Sequence, residues 1–432
     1  MDGAGRAGRV GQKGSGRIDG ALLALVLQAG RRVAAALAYR DFRLLWFGAL
    51  VSSIGTWMQK VAQAWLIVTL AGSASAFFLG LDSFVGEFPI LLFTLIGGVV
   101  ADRRNRRHLL LISQCVQMAA AFTLATLVFT GTVRIGLILM LSFITGVAQA
   151  FGGPAYQSLI PSLIPKEHLP NAIALNSIQF NLARVIGPLV AGAALTAFGM
   201  VACFGINGVS FLFVIAAIAA LHVAHVPTTA VASMSDQLKG GLRYVRNQPQ
   251  LVTLTVLGFI SAFLGLPLLT FLPVITKDVF QQDVGLYTRF MTLAGAGAVL
   301  GALSVAWIGK HRHMGLMLLI MQALLGLIAV AFSLSRVIWL SQLLLFAGGA
   351  LLVTCFATTT SLVQLLAPHE LRGRVMSIYM VAFRGGSPLG GLISGWLVTQ
   401  IGSTPYVLAL NGGLLTIVAL IAMTRDHGLR EI

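Results

Sequence analysis

The stretch Gly98-Val99-Val100-Ala101-Asp102-Arg103-Arg104-Asn105-Arg106-Arg107 decides the fold. It joins two apolar runs, near 77–101 and 108–130, and sets one acid and four arginines between them. Each run meets the requirement of about 20 apolar residues for crossing a bilayer, so the turn must lie at one membrane face. Working outward, the same grammar recurs along the chain. Of 432 residues, 57% are hydrophobic and 10% charged. Charged residues make up about a quarter of an ordinary soluble domain, so the composition excludes one.

Twelve spans are expected, near 44–70, 77–101, 108–130, 135–158, 171–198 and 201–222, then 250–275, 288–308, 314–334, 337–362, 374–399 and 404–423. The corresponding divisions are a basic tail (1–41), a six-helix bundle (42–223), a polar linker (224–249), a second bundle (250–424) and a short tail (425–432). The net charge of +16 suggests nucleic acid only in a soluble protein. Here the cations sit in short loops: 22 Lys and Arg fall on the side of the opening turn and four on the other, namely Arg134, Lys277, Arg289 and Arg336. The positive-inside bias therefore predicts that both termini and the opening turn face the cytoplasm. A lipid bilayer, and no nucleic acid, is the expected surrounding. The apolar stretch 21–29 is too short to span, and a signal peptide is the weaker reading because no small-residue cleavage site follows it.

The halves repeat. Pro165-Lys166-Glu167 corresponds to Pro368-His369-Glu370, and Arg184 through Pro188-Leu189 corresponds to Arg384 through Pro388-Leu389, about 200 residues later. An even number of spans per half keeps such repeats parallel, as in two bundles related by an axis along the membrane normal. Cys115, Cys203 and Cys355 are isolated in apolar segments, and the histidine pairs at 222/225 and 311/313 lack acids or thiols beside them. Neither a disulfide framework nor a metal site is expected. No cofactor or enzyme motif is read: Gly295 through Gly301 imitates a nucleotide fingerprint but lies within a span.

On these residues the chain resembles the major facilitator superfamily. The family's Gly-x-Leu-Ala-Asp-Arg-x-Gly-Arg-Lys/Arg signature is matched at Gly98, Ala101, Asp102, Arg103, Arg106 and Arg107, with Val100 for Leu and Asn105 for the second Gly. Asn enters left-handed turns, which makes the second change tolerable. Arg40 through Trp46, followed by Ser53 through Gln59, resembles the efflux branch that contains the enterobactin exporter. The resemblance implies an all-α membrane protein of twelve helices in two pseudo-symmetric bundles, acting as a monomeric proton-coupled exporter in a bacterial inner membrane. It also implies that Asp102 latches onto the start of the eleventh helix near Arg374. A carboxylate released and re-docked there would bias a two-state equilibrium. The four arginines read equally well as topology determinants alone. Gly187-Pro188 with Gly192 partly matches a fifth-helix antiporter signature, whereas Gly146 stands where many drug exporters carry an arginine before Gln149. Pro388 is the eleventh-helix counterpart of the Pro188 kink.

Five ionisable residues fall inside spans: Lys60, Asp82, Glu87, Arg184 and Arg384. Each costs roughly 2.5–3.5 kcal/mol at mid-helix, which makes it a functional candidate by default. Lys60 and Glu87 lie within about 3 Å of the same depth at 1.5 Å per residue, so the two could pair across adjacent helices, a static ion pair being the alternative to a coupling role. Glu87 is the preferred proton carrier, and Asp82, nearer a membrane surface, is read as hydrated with coupling as its second reading. Thr56, Gln59, Lys60 and Gln63 share a face with Ser52. With Gln149, Asn181, Arg184 and Arg384, these four are the expected lining of a small-molecule cavity. The two arginines suit an anionic or phenolic solute, with packing against carbonyls as the alternative. An importer of a small metabolite and a transport-dead sensor or assembly partner also fit the spans.

Overall fold

The computed structural model describes residues 35–222, 242–309, 312–368, 370–425 and 427–430. The expected linker 224–249 falls mainly outside them, as does most of the tail 1–41, although Ala35–Ala38 form a helical turn with Ala36 fully buried.

Among the described residues, nine stretches are long and apolar enough to cross a membrane. Two of these contain two helices each. Arg40–Thr94 divides at Gly72 into α1 (Arg40–Ala71) and α2 (Ser75–Arg103). Lys166–Ala219 divides at Gly199 into α5 (169–198) and α6 (200–219). Gly199 adopts φ 77°, ψ −176°, a conformation that a Cβ would strain, and it lets the chain reverse without a loop. Between these pairs lie α3 (Arg106–Phe129) and α4 (Ile135–Leu159).

The second half comprises α7 (Pro249–Val279), α8 (Val284–Ile308), α9 (Met314–Leu334), α10 (Ile338–Leu366), α11 (Arg372–Ile401) and α12 (Thr404–Arg425). Helix α11 is absent from the nine because Arg372, Arg374, Arg384 and its glycines lower its hydropathy. Its Gly face is buried against neighbouring helices, so burial substitutes for an apolar surface. Helix α7 differs from the single smooth span expected. Pro267 and Pro273 withhold backbone donors, and π-helical turns at Ser261–Gly265 and Ile275–Val279 absorb the mismatch.

The two bundles repeat their packing. In the first, Gly86 and Gly97 of α2 approach the α4 backbone at Gly146 and Ala150; in the second, Ala294, Gly297 and Gly301 of α8 meet Gly349, Phe346 and Ala350 of α10. The α1–α5 contact, where Gly187 lies on Trp57, has its counterpart in Gly386 and Gly390 of α11 against Phe259 and Phe263 of α7. Missing Cβ atoms let the helix backbones touch, which in a bilayer replaces the hydrophobic driving force between helices.

Candidate functional site

The opening turn lies at the end of α2, on what is called here the basic face. Asn105 is the N-cap of α3: at φ −65°, ψ 108° its side chain accepts from Arg107 N (3.0 Å) and His108 N (3.3 Å). The left-handed turn expected of Asn105 is therefore replaced by capping, which satisfies donors that a helix start leaves open. Arg106 donates to Ala101 O (3.3 Å) and Ser158 O (3.1 Å), and Arg107 donates to Ile218 O (3.0 Å) and Ala219 O. These two cations thus sit on carbonyls at the negative ends of α2, α4 and α6, a structural role beyond setting orientation. Gly98 has nothing near its absent Cβ. The side chains of Asp102 and Arg103 lie outside the described residues, and with them the latch.

Among the described residues, contacts that join the bundles are found at mid-membrane and toward the opposite face. There Gly80 of α2 crosses Gly391 of α11, Gly395 meets Ala76, and Gly192 of α5 meets Thr288 of α8. Lys277 donates to Val68 O at 3.1 Å, and Trp65 stacks on Tyr287 with centroids 6.0 Å apart.

Asp82 of α2 is held from two neighbouring helices. Gln63 Nε2 of α1 donates to both its carboxylate oxygens (3.0 and 2.9 Å) and also to Ser142 Oγ of α4 (2.9 Å), while Ser142 Oγ donates to Asp82 Oδ1 at 2.5 Å. The three residues stand at one depth. Gln63 lies eight residues before the end of α1, and Asp82 and Ser142 lie seven after the starts of α2 and α4. That is roughly 10–12 Å inside the helix ends at 1.5 Å per residue. The hydrated setting expected for Asp82 is thus replaced by protein donors. Lys60 is near enough for its charge to act on Asp82 but makes no ion pair with it: among the described residues the sole ion pair within 4.0 Å is Arg40–Asp41.

The Lys60–Glu87 pair does not form. Lys60 Nζ lies over the Trp57 ring, 5.2 Å from its centroid, and Glu87 makes no side-chain hydrogen bond or ion pair among the described residues. Equal depth fixed only one coordinate. Lys60 follows Trp57 by three residues on the side of α1 that faces α5, whereas Glu87 follows Gly86, which is packed on α4. Arg184 of α5 reaches the same indole, its Cζ 5.8 Å from the centroid, and Phe180 packs edge-on at 6.1 Å. Trp57 is the candidate site residue the sequence reading passed over; its i, i+3 spacing to Lys60 was the available signal.

The polar stripe of α1 divides. Gln59 turns to α6, accepting from Asn207 Nδ2 at 2.6 Å; Thr56 donates to Ser52 O in its own helix (2.9 Å); Gln63 serves Asp82. Asn181 likewise bonds its own helix at Ser177 O (2.9 Å), and Gln149 only meets Gln117 at 3.4 Å, apart from the other candidates. Arg384 is exposed on α11 with Pro388 buried a turn beyond it. Pro188 is buried beside Gly187. An apolar groove between α3 and α4, lined by Ile112, Val116, Phe143 and Val147, lies apart from all of these charges.

The signature of the family described as Transmembrane secretion effector matches residues 33–430. The chain is 24% identical over 344 residues to a staphyloferrin A transporter of Staphylococcus aureus, covering 79% of this chain and 85% of that one. It is 22% identical to macrolide efflux protein A of Streptococcus pyogenes (88% and 94% covered) and 27% identical to the multidrug efflux pump Tap of Mycobacterium tuberculosis (85% and 89%). Among solved structures it resembles a bacterial homolog of the lysosomal transporter Spinster, inward-facing and occupied (TM-score 0.69, 14% identity, 91% and 98% covered). A D-xylose–proton symporter is similar at TM-score 0.66 and 13% identity (88% and 96% covered). These two likenesses speak to the fold alone, and with the family match they agree with a major facilitator arrangement of two helical bundles.

Proposed function

From the premise that this chain belongs to the Transmembrane secretion effector family of the major facilitator superfamily, we propose that it is a proton-coupled secondary exporter of small amphipathic or anionic compounds. The observation that carries the coupling is the Asp82 carboxylate, placed in the membrane on Gln63 and Ser142 with no cation in contact. Such a group can be neutral in one state of the carrier and charged in the other, and each form biases the two-state equilibrium differently. Glu87 is the second carboxyl able to serve, since among the described residues it has no partner that fixes its charge.

Efflux is supported by relatives named as macrolide and multidrug efflux proteins. The chain works as a monomer in the inner membrane, with its basic face to the cytoplasm by the excess of Lys and Arg there. With the bundles joined at mid-membrane and toward the other face, the arrangement then corresponds to a carrier open inward. Asp102 remains the proposed latch. The test is transport of radiolabelled erythromycin, ethidium and phthalate into everted vesicles energised by a proton gradient. Gradient-dependent accumulation of at least one, abolished by a protonophore, is expected. Accumulation only in right-side-out vesicles would reverse the direction.

A further inference from the structure

The spans enclose more positive than negative charge. Lys60, Arg184 and Arg384 face two acids, Asp82 and Glu87. Asp82 is already engaged by Gln63 and Ser142, and neither Lys60 nor Arg184 has an acid within 4.0 Å among the described residues. A cation left unpaired in a span is costly, and intramembrane cations normally face a protein carboxylate, a carbonyl or a water-filled path. Two of them converge here on one indole. With Nζ 5.2 Å and Cζ 5.8 Å from the Trp57 centroid, the two charges are at most 11.0 Å apart.

The direction they face follows from helix spacing. Arg184 shares a side of α5 with Ser177 and Phe180, next to the side that meets α8 through Val185 and Gly192, while Ile178, Leu182 and Leu189, exposed and apolar, lie beyond that contact. Gly187 and Gln179 on a third side pack against α1. Arg184 therefore points between the bundles, and Lys60, exposed on α1 and in contact with the same ring, points there too. The cation–π contacts hold both heads in place without neutralising them, because an indole carries no net charge.

We infer that Lys60 and Arg184, positioned by Trp57, form a binding site for small dianions, a solute with two acidic groups no more than about 11 Å apart. The solute supplies the countercharges that the chain omits. Lys60 offers a mobile ammonium and Arg184 a planar fork suited to a carboxylate, so the two acidic groups are recognised by different geometries. The assignment rests on the export reading above and narrows its substrate class.

The experiment titrates the purified full chain in lipid nanodiscs with three molecules of one skeleton: phthalate, its monomethyl ester and its dimethyl ester, carrying two, one and no charges at pH 7.5. Affinity is expected to fall by about tenfold or more at each step, the ratio for losing one charge-assisted hydrogen bond. Lys60→Met and Arg184→Gln each bring phthalate down to the monoester's level. Lys60→Arg retains binding, and Arg134→Gln, a cation at the opposite face, leaves it unchanged. Equal binding of phthalate and its monoester, or wild-type binding by Lys60→Met, overturns the assignment. Gradient-driven efflux of erythromycin without phthalate binding also overturns it and leaves the export reading standing. Phthalate binding with this charge order but no gradient-driven flux supports the site and removes the export reading.

Discussion

The two bundles share a scaffold and differ in what their polar side chains do. In the first, side chains bond across helices: Gln63 with Asp82 and Ser142, Asn207 with Gln59, Gln179 with Ser53, and Tyr156 with Asn176. In the second, as for Thr126 and Thr196 of the first, most hydroxyls bond back to their own helix, Thr255 to Leu251 O, Thr276 to Leu272 O, Ser333 to Ala329 O and Thr359 to Cys355 O. Its inter-helix side-chain pairs among the described residues are Asn411 with Ser394 and Thr360 with Tyr379. Back-bonded hydroxyls add little tertiary specificity, whereas a network across three helices fixes a site and costs much when half broken. Duplicated packing has thus been kept while the titratable chemistry has concentrated on one side. Of the acids in the spans' interior, both are in the first bundle.

The largest effect that would break this contrast is at Gln63. Gln63→Leu leaves two carboxylate oxygens and a hydroxyl short of a donor. Gradient-driven transport in vesicles should fall about tenfold or more, because buried acceptors without partners cost roughly 1–3 kcal/mol each. Ser142→Ala removes one donor, so a smaller loss in the same assay is expected. Next comes the basic face, where Asn105→Ala removes the α3 cap. A loss of about 1 kcal/mol in thermal or denaturant unfolding is expected, with transport per folded molecule preserved. The smallest effect belongs to the second bundle. Gln322 is fully buried on α9, with neither its amide N nor its O partnered among the described residues. Gln322→Leu should be neutral or raise stability by up to about 1 kcal/mol, since an apolar group of like size removes an unmet desolvation cost. A transport loss in Gln322→Leu equal to that of Gln63→Leu would erase the difference between bundles.

Helix positions were legible because a bilayer sets length. The span expected near 314–334 matches α9 residue for residue, and that near 135–158 matches α4 to one residue. The irregular α7 was not legible as such, although Pro267 and Pro273 mark where it breaks. The site was legible in its residue types and not in its pairings. Sequence gives depth through rise per residue, and depth placed Lys60 level with Glu87. Which way each points depends on glycine contacts such as Gly86 with Gly146 and Gly187 with Trp57, which follow from the packed bundle. Ser142 escaped notice because a serine in an apolar helix is unremarkable until its depth is compared with Gln63 and Asp82.

In the proposed cycle Asp82 ties solute movement to protons. Its most direct test compares two modes of transport by Asp82→Asn in proteoliposomes, using whichever of erythromycin, ethidium and phthalate the wild type accumulates. Asparagine keeps the size and can still meet Gln63 and Ser142, so exchange of labelled for unlabelled solute with no gradient should persist. Accumulation driven by a pH gradient should vanish. Gradient-driven accumulation by Asp82→Asn at the wild-type level would contradict the account.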